Sequence, residues 1–348
     1  MATIIDVAKM ARVSKTSVSR YLNSQEQGHM SEETKQRIQD AIDKLDYKPS
    51  NIARSLKGKS TNVIGVVVND MGNPFFVQMI RGIEMEIKDY DYNILICDSY
   101  MSVQKEIESL QMLGQRQIDG ILLIGMNMPV DHLEKMSLKA PIVLLERDAG
   151  STSFPSVTID NRMGGYEAVE HLIRQGHKRI AHVTGNMQSS IARERLQAYR
   201  DCMCEHGLEV RDAYQVEGRY DIDSGYAGLK KLMELQEPPT AVFCANDMMA
   251  IGAIRYLLEY GYRIPEDVAI VGYDDIEVAS MVTPSLTTVK QPILELAKLA
   301  TRILLHKMQK IPIEGELARL SKMKAELIVR KSSSIPRKEP KTPHPRED

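Results

Sequence analysis

The chain has 348 residues, 43% hydrophobic and 26% charged, a globular balance that leaves room for two or three domains and excludes a collagen-like, disulfide-scaffold or wholly disordered polypeptide. Its formal net charge of −2 conceals a split, because residues 1–60 carry 11 Lys/Arg against 7 Asp/Glu while residues 61–330 carry 29 against 37. A basic head on an acidic body points to a polyanion partner for the head alone. No apolar run approaches the ~18 residues of a membrane span, and the first residues lack the basic and apolar regions of a secretion signal, so a cytoplasmic protein without a membrane partner is expected. Cys97, Cys202, Cys204 and Cys244 lie in apolar or amphipathic stretches, which suits reduced thiols better than a disulfide framework.

The head reads as three short helices. Ile4, Val7, Ala8 and Ala11 fall at i, i+3, i+4, i+7 and make one apolar stripe. Ser14 can cap a second helix in which Val18, Tyr21 and Leu22 face inward and Lys15, Thr16, Ser17, Ser19 and Arg20 face outward. After the polar stretch 23–30, Ser31 can cap a third helix with Glu32 and Glu33 in its first turn and Ile38, Ala41, Ile42 and Leu45 inward. Two helices across a short turn, the second presenting small polar and basic side chains, form a helix-turn-helix able to enter a DNA major groove; the alternative that spacing alone leaves open is an ordinary helical cap with a solvated face. The next segment, 47–60, is basic, with Pro49 able to start a short helix and Gly58 to end it. Leu56 is its one large apolar side chain after Ile52, and either packs on the body or acts as a wedge in a minor groove.

From residue 61 onward, strand and helix alternate. Apolar runs at Val63–Val68, Ile94–Cys97, Gly120–Ile124, Ile142–Leu145, Ile180–Thr184, Ala241–Ala245 and Val268–Gly272 read as buried strands. Amphipathic helices are expected over Pro74–Tyr90, Val103–Gln117, Arg162–Gln175, Arg195–His206, Ser224–Gln236, Asp247–Tyr260 and Ile293–Met308. Such alternation predicts an α/β body of two doubly wound parallel sheets, with ligands bound at the carboxyl ends of strands in the crevice between the halves.

Three stretches of the head are diagnostic: Thr3-Ile4-Ile5-Asp6-Val7-Ala8, Val13-Ser14-Lys15-Thr16-Ser17-Val18-Ser19-Arg20-Tyr21-Leu22-Asn23, and Tyr47-Lys48-Pro49-Ser50-Asn51-Ile52-Ala53-Arg54-Ser55-Leu56. Together they resemble the headpiece and hinge of the LacI/GalR (lactose-repressor/galactose-repressor) family. In the body, Asn73-Pro74-Phe75-Phe76, Ala245-Asn246-Asp247 and Val271-Gly272-Tyr273-Asp274-Asp275 continue the resemblance to about Arg330.

The resemblance implies a sequence-specific regulator, a repressor, acting as a homodimer on a palindromic double-stranded operator. It assigns residues 1–46 to a helix-turn-helix headpiece, 47–60 to a hinge helix, and 61–330 to a periplasmic-binding-protein-like effector and dimerisation domain. That domain divides into subdomain 1 (roughly 61–160 plus 291–320) and subdomain 2 (roughly 161–290). Residues 331–348, with four prolines and mixed charge, read as a disordered tail.

By the same likeness Lys15, Thr16 and Arg20 read bases, and Thr3, Ser14, Ser17, Ser19, Asn23, His29, Ser31 and Thr34 hold phosphates. The hinge adds Tyr47, Asn51, Ala53, Arg54 and the wedge Leu56. Two departures stand out: Arg12 occupies a turn position where the family usually has Gly, and the stretch 23–30 is about two residues longer than usual. The matching cleft positions are Asn73, Phe75, Phe76, Glu146, Arg147, Arg195, Tyr220, Asn246, Asp274 and Gln291, and Ala198 stands where Gly is usual. Carboxylates, guanidinium groups and amides supply the paired donors and acceptors a polyol needs, and the aromatic rings can face its C–H surface, so a sugar or sugar acid is the expected effector.

Enzyme readings lack support in the sequence. No G-x-G-x-x-G follows a strand and no G-x-x-x-x-G-K-[ST] occurs. His171, His177 and His182 lack the spacing of a zinc helix, and Cys202 and Cys204 have no second ligand pair, so no cofactor or metal is expected. A transport-type sugar-binding protein, the other alternative, needs an export signal and no basic head.

Overall fold

The computed structural model describes residues 2–22, 30–47, 60–125, 127–147, 154–312 and 322–334, in two compact units, Met1–Thr61 and Asn62–Asp348.

In the first unit the three expected helices form where the caps place them. Helix α1 (Ile4–Ala11) starts in a capping box: Asp6 N–H donates to Thr3 Oγ1, and Thr3 N–H donates to Asp6 Oδ2 at 2.9 Å. It ends at Arg12, whose φ of 54° and ψ of 46° are left-handed, a conformation that costs a non-glycine residue roughly 1 kcal/mol. Ser14 Oγ accepts from Ser17 N at 3.0 Å to open α2 (Lys15–Tyr21), and Ser31 Oγ accepts from Thr34 N to open α3 (Glu32–Lys44). Val7, Ala8, Ala11, Val18, Ile38 and Ala41 are buried together, and Tyr21 OH donates to Gln39 Oε1 at 2.7 Å, tying α2 to α3.

The second unit runs β1 (Val63–Val68), α4 (Pro74–Ile87), β2 (Asn93–Asp98), α5 (Val103–Gln115), β3 (Gly120–Ile124), α6 (Val130–Lys135), β4 (Ile142–Leu145), β5 (Ser156–Ile159), α7 (Asn161–Arg174), β6 (Ile180–Thr184), α8 (Ser190–Glu205), β7 (Gln215–Glu217), α9 (Ile222–Met233), β8 (Ala241–Cys244), α10 (Asp247–Glu259), β9 (Ala269–Asp274), α11 (Glu277–Met281), β10 (Thr287–Lys290), α12 (Ile293–Met308), β11 (Lys322–Met323) and β12 (Glu326–Ile328). Its strands form two six-stranded sheets, ordered β11-β5-β4-β3-β1-β2 and β12-β10-β9-β8-β6-β7, parallel throughout except for β10 against β12. Strands β3, β4, β6, β8 and β9 are buried along their whole length, which is why they read as unbroken apolar runs. Helices α9 and α10 touch through their backbones, since a Cβ on Gly252 would fall against the Ile222 carbonyl and one on Gly225 against Met249.

The chain passes between the sheets three times, after β5, after β10 and between β11 and β12. The third passage corrects the expected subdivision, because β11 completes the first sheet while β12 returns to the second. The expected tail is corrected at its start. Ser332 and Ser333 are buried, Ile270 N–H donates to the Ser332 carbonyl at 2.8 Å, Ser332 Oγ donates to Ile270 O at 2.6 Å, and Ser333 Oγ lies 2.8 Å from His171 Nε2. Three consecutive serines look like a solvated tail, yet the Ser332 hydroxyl satisfies backbone groups at the start of β9 and β10, and the Ser333 hydroxyl donates to Thr287 Oγ1. Residues 335–348 lie outside the described residues. Helix α8 also begins five residues before the expected Arg195, because the polar Ser189-Ser190 pair hides a start at which Ile191 and Ala192 are already buried.

His182 lies in the core of the second sheet. It is fully buried, its Nδ1 is 2.9 Å from the Phe243 carbonyl, and its ring stacks on Phe243 at 4.6 Å. Burial pushes its pKa down to about 4, below the unfolded value of about 6.5. The fold therefore keeps His182 neutral: its contribution is fully present above pH ~6.5 and is lost as pH falls toward about 4, on the order of 3 kcal/mol in all. The raised carboxyl groups described below act with the opposite sign, so a variant is needed to isolate the histidine. His182→Phe keeps the stacked ring, and its urea midpoint is expected to fall less than that of the parent between pH 7.5 and 5. Equal slopes for the two proteins would exclude this assignment.

Candidate functional site

The carboxyl ends of both sheets converge on a cavity of about 610 Å3, counting its open mouth. From the first sheet, β1 delivers Asn69, Asp70 and the start of α4. Asn73 caps that helix by accepting from Phe75 N at 3.0 Å, and Pro74 occupies its first position. This cap sets Phe75 and Phe76 edge to face, 5.2 Å apart, at the cavity wall. Strand β4 is followed directly by Glu146, buried and left-handed at φ 52°.

The second sheet supplies Arg195 from α8, Tyr220 after β7, Asn246 at the start of α10 and Asp274 at the end of β9. Asn246 uses both ends of its amide, since Oδ1 accepts from Met249 N at 2.9 Å and Nδ2 donates to Tyr220 O at 3.0 Å. Tyr220 has φ 64° and Asp274 φ 121°. Gln291, between β10 and α12, donates from Nε2 to Asp274 Oδ1 at 2.6 Å. With Met101 at φ 59°, four of the lining side chains thus stand on left-handed backbone that only Gly adopts without strain, a form of strain that concentrates at binding sites.

Arg195 is 3% exposed and held on three sides. Nε donates to Asn161 Oδ1 at 2.9 Å, Nη1 donates to the Ala245 carbonyl at 2.5 Å, and the guanidinium lies 3.5 Å from the centre of the Tyr273 ring. Burial works against its charge, but Tyr273, Asp274, Tyr220 and Glu146 outweigh it and raise its pKa. Burial lifts Asp274 to about 7 against the pull of Arg195 and the Gln291 hydrogen bond, and lifts Glu146 to about 8 against Arg195. The buried part of the site therefore holds one cation, Arg195, and two carboxyl groups lifted toward neutrality, Asp274 and Glu146. Glu146 Oε1 and Gln291 Oε1 are buried without a hydrogen-bond partner. Both are acceptors.

Nine of the ten expected effector residues line this cavity: Asn73, Phe75, Phe76, Glu146, Arg195, Tyr220, Asn246, Asp274 and Gln291. Arg147 is the exception. It follows Glu146, whose left-handed backbone turns the chain, and it lies instead among charges that include Glu106 and Arg193. The lining also includes Asn69, Asp70, Met101, Gly125, Asn127, Ser189, Ile191 and Arg219, which the sequence reading missed. Asn69 and Gly125 directly follow strands and were findable on that ground. Asn127 was not, because its loop is set by Glu106, a buried residue of α5 whose two oxygens accept from Asn127 N and Met128 N, each at 2.8 Å.

In the headpiece, Thr3, Ser14, Lys15, Thr16, Arg20 and Ser31 are exposed, and Ser17, Ser19, Thr34 and Tyr47 are half-buried. Thr3, Ser14 and Ser31 are the caps of the three helices, so each marks a helix N-terminus whose free amide hydrogens and dipole favour an anion. Asn23, His29, Asn51, Ala53, Arg54 and Leu56 lie outside the described residues. Among the described residues there is no cluster of metal-ligating side chains and no helix long and apolar enough to cross a membrane.

Residues 3–50 match the model of bacterial regulatory proteins of the lacI family, and residues 169–333 match that of the periplasmic binding protein-like domain. The chain is 36% identical over 320 residues to catabolite control protein A of Priestia megaterium, covering 91% of this chain and 96% of that protein. Its fold is similar to that of the lac repressor dimer solved bound to operator and the anti-inducer ONPF, with TM-score 0.83 and 27% identity over 95% of this chain and 99% of that one. It is also similar to the transcriptional regulator CelR in complex with cellobiose, with TM-score 0.70 and 29% identity over 95% of this chain and 100% of that one.

Proposed function

The chain belongs to the lacI family of bacterial regulatory proteins, and on that premise we propose that it is a repressor that binds a pseudo-palindromic operator as a homodimer and is controlled by a sugar or sugar acid in the cavity between the two sheets. It is a DNA-binding transcriptional regulator under small-molecule control and works where the DNA is, in the cytoplasm. The headpiece 1–46 carries DNA recognition through Lys15, Thr16 and Arg20, with the capped helix N-termini on phosphates. Residues 47–60 form the hinge, and the body from 61 to 334 holds the effector. The lac repressor dimer on its operator supports the assembly, and cellobiose in CelR supports the ligand class. No step of this function is catalytic.

The observation that carries the ligand reading is the pair of buried, unpartnered oxygens, Glu146 Oε1 after β4 and Gln291 Oε1 after β10, on residues lining a cavity whose buried cation, Arg195, is already bonded to Asn161 and Ala245. A ligand rich in hydroxyl donors satisfies them, which favours a neutral sugar over its acid. The test is a thermal-shift screen of the full-length protein against sugars, sugar acids, phosphosugars and nucleobases. A bound compound at a hundredfold excess over Kd adds about 2.7 kcal/mol. The sign of the pH effect then separates the two candidates. Hydroxyls donate to ionised carboxylates, so a neutral sugar should bind more tightly as pH rises through about 7 and 8, where Asp274 and Glu146 ionise, and a sugar acid more weakly. A shift from nucleobases alone would overturn the sugar reading.

A further inference from the structure

We infer that Asp247 is a positioning residue, whose carboxylate locks the corner after β9 into the strained shape that aims Asp274 into the cavity. This rests on that cavity being the effector site. Asp247 is fully buried and does not line the cavity, yet it directly follows Asn246, which does.

Its two oxygens collect the backbone just beyond Asp274. Oδ2 accepts from Ile276 N at 2.9 Å, Oδ1 accepts from Thr288 Oγ1 at 2.5 Å, and that same hydroxyl oxygen accepts from Asp275 N at 3.3 Å. The amides of residues 275 and 276 therefore both terminate on Asp247, one directly and one through Thr288. They belong to a corner in which Asp274 and Asp275 have φ of 121° and 57°. Non-glycine residues keep such angles only where their surroundings over-determine them. On the other flank, Arg330 Nη2 donates to Asp275 Oδ1 at 2.7 Å and Nη1 to Leu286 O at 2.9 Å. The strand makes room for the carboxylate, since a Cβ on Gly272 would strike Asp247 Oδ1.

An ordinary helix cap does not explain this group, because Asn246 already caps α10. Burying a second carboxylate near Asp274 is costly, and the two repel. The charged and titratable groups around the pair are Arg195 from α8, Glu146 after β4, Tyr220 after β7 and Tyr273 from β9 toward Asp274, with Asp275 and Cys244 toward Asp247. Burial and Asp274 push the Asp247 carboxyl well above the usual aspartate range; what the group supplies that a hydrocarbon side chain does not is two oxygens at fixed positions, one for each arm of the corner.

The experiment uses the full-length protein and no ligand. Amide hydrogen exchange is followed at residues 275 and 276, and the Asp274 carboxyl is titrated by carbon-13 NMR, with Asp274→Asn for assignment. In Asp247→Ala, exchange at the two amides should accelerate at least tenfold relative to the rest of β9. The Asp274 midpoint should fall from about 7 toward the ordinary aspartate range, because burial is what raises it and a released corner admits water. Asp247→Asn retains an acceptor for Ile276 N and should restore most of the protection there. Thr288→Val is isosteric and should release Asp275 alone; it carries the same readouts if the alanine variant does not fold. Unchanged local exchange and an unchanged Asp274 midpoint would overturn the inference, and so would exchange that rises uniformly across the second sheet. A screen in which no compound binds would count against the effector reading and leave these two measurements standing.

Discussion

Arg195→Ala is expected to yield a repressor that binds operator but no longer responds to its effector. Truncation removes the donors to Asn161 Oδ1 and the Ala245 carbonyl together with the cation between Glu146 and Asp274. Hydrogen bonds to charged groups are worth roughly 1.5–3 kcal/mol each, and loss of one partner strands the other in a buried site. Effector affinity should therefore fall by about a hundredfold or more. Asp274→Asn, which keeps the shape and removes the charge, should fall in the same direction by less. The argument runs through linkage. An effector changes operator affinity only through its differential affinity for two states of the body, and the operator changes effector affinity by the same factor. A ligand that has lost its grip on the second sheet cannot draw the two sheets together. If the effector is an inducer, the variant represses permanently; if a corepressor, it is permanently inactive, so the phenotype also reports the sign of control. The measurement is operator affinity with and without the compound found by the thermal screen, and a normal effector-induced shift in Arg195→Ala would remove this residue from the site.

Operator binding should fall about 10,000-fold between 50 and 200 mM salt. If each headpiece of a dimer holds four phosphates, eight condensed counterions are displaced, and log K falls against log salt with a slope of roughly −0.9 per contact. The physical source is the charge split, net positive in residues 1–60 and net negative through 61–330, which confines the attraction to one end of the chain. Lys15→Ala tests base reading against phosphate holding within the same assay. A base contact, once lost, relaxes specificity at one position and leaves the slope unchanged, whereas a phosphate contact reduces the slope by about one per headpiece. A salt response near zero would show that the basic head does not bind the duplex.

The helices of the headpiece were legible because their signals are local. Ser14 and Ser31 precede apolar stripes and do cap helices, and the left-handed Arg12 stands where the turn demands positive φ; the Thr3 cap of α1 was not read from the sequence. Strands β1, β3, β4 and β6 match their apolar runs residue for residue, since burial on both faces leaves no other pattern. Short elements escaped detection: β7, β11, β12 and α11 span two to five residues, too few for a period to register.

The site divides along the same line. Residues at strand ends and helix starts, such as Asn73, Asn246 and Asp274, could be placed from the chain because a parallel sheet brings its carboxyl ends to one side. Arg147 could not be separated from Glu146 in the sequence; the left-handed backbone of Glu146 separates them in the fold. Asn127 enters the cavity lining on a loop held by Glu106, more than twenty residues away, and the corner that aims Asp274 is held by Asp247 and Thr288 from two other elements. Ser332 and Ser333, polar enough to pass for a tail, are drawn into the second sheet by unpaired groups of β9 and β10. By itself the sequence determined the family, the basic head, the alternation of strand and helix and most of the residues that meet in the cavity. Which of those residues point inward, and with what charge, was decided by the tertiary structure, because the direction of a loop and the acidity of a buried carboxyl depend on partners that are distant in the chain and adjacent only once it has folded.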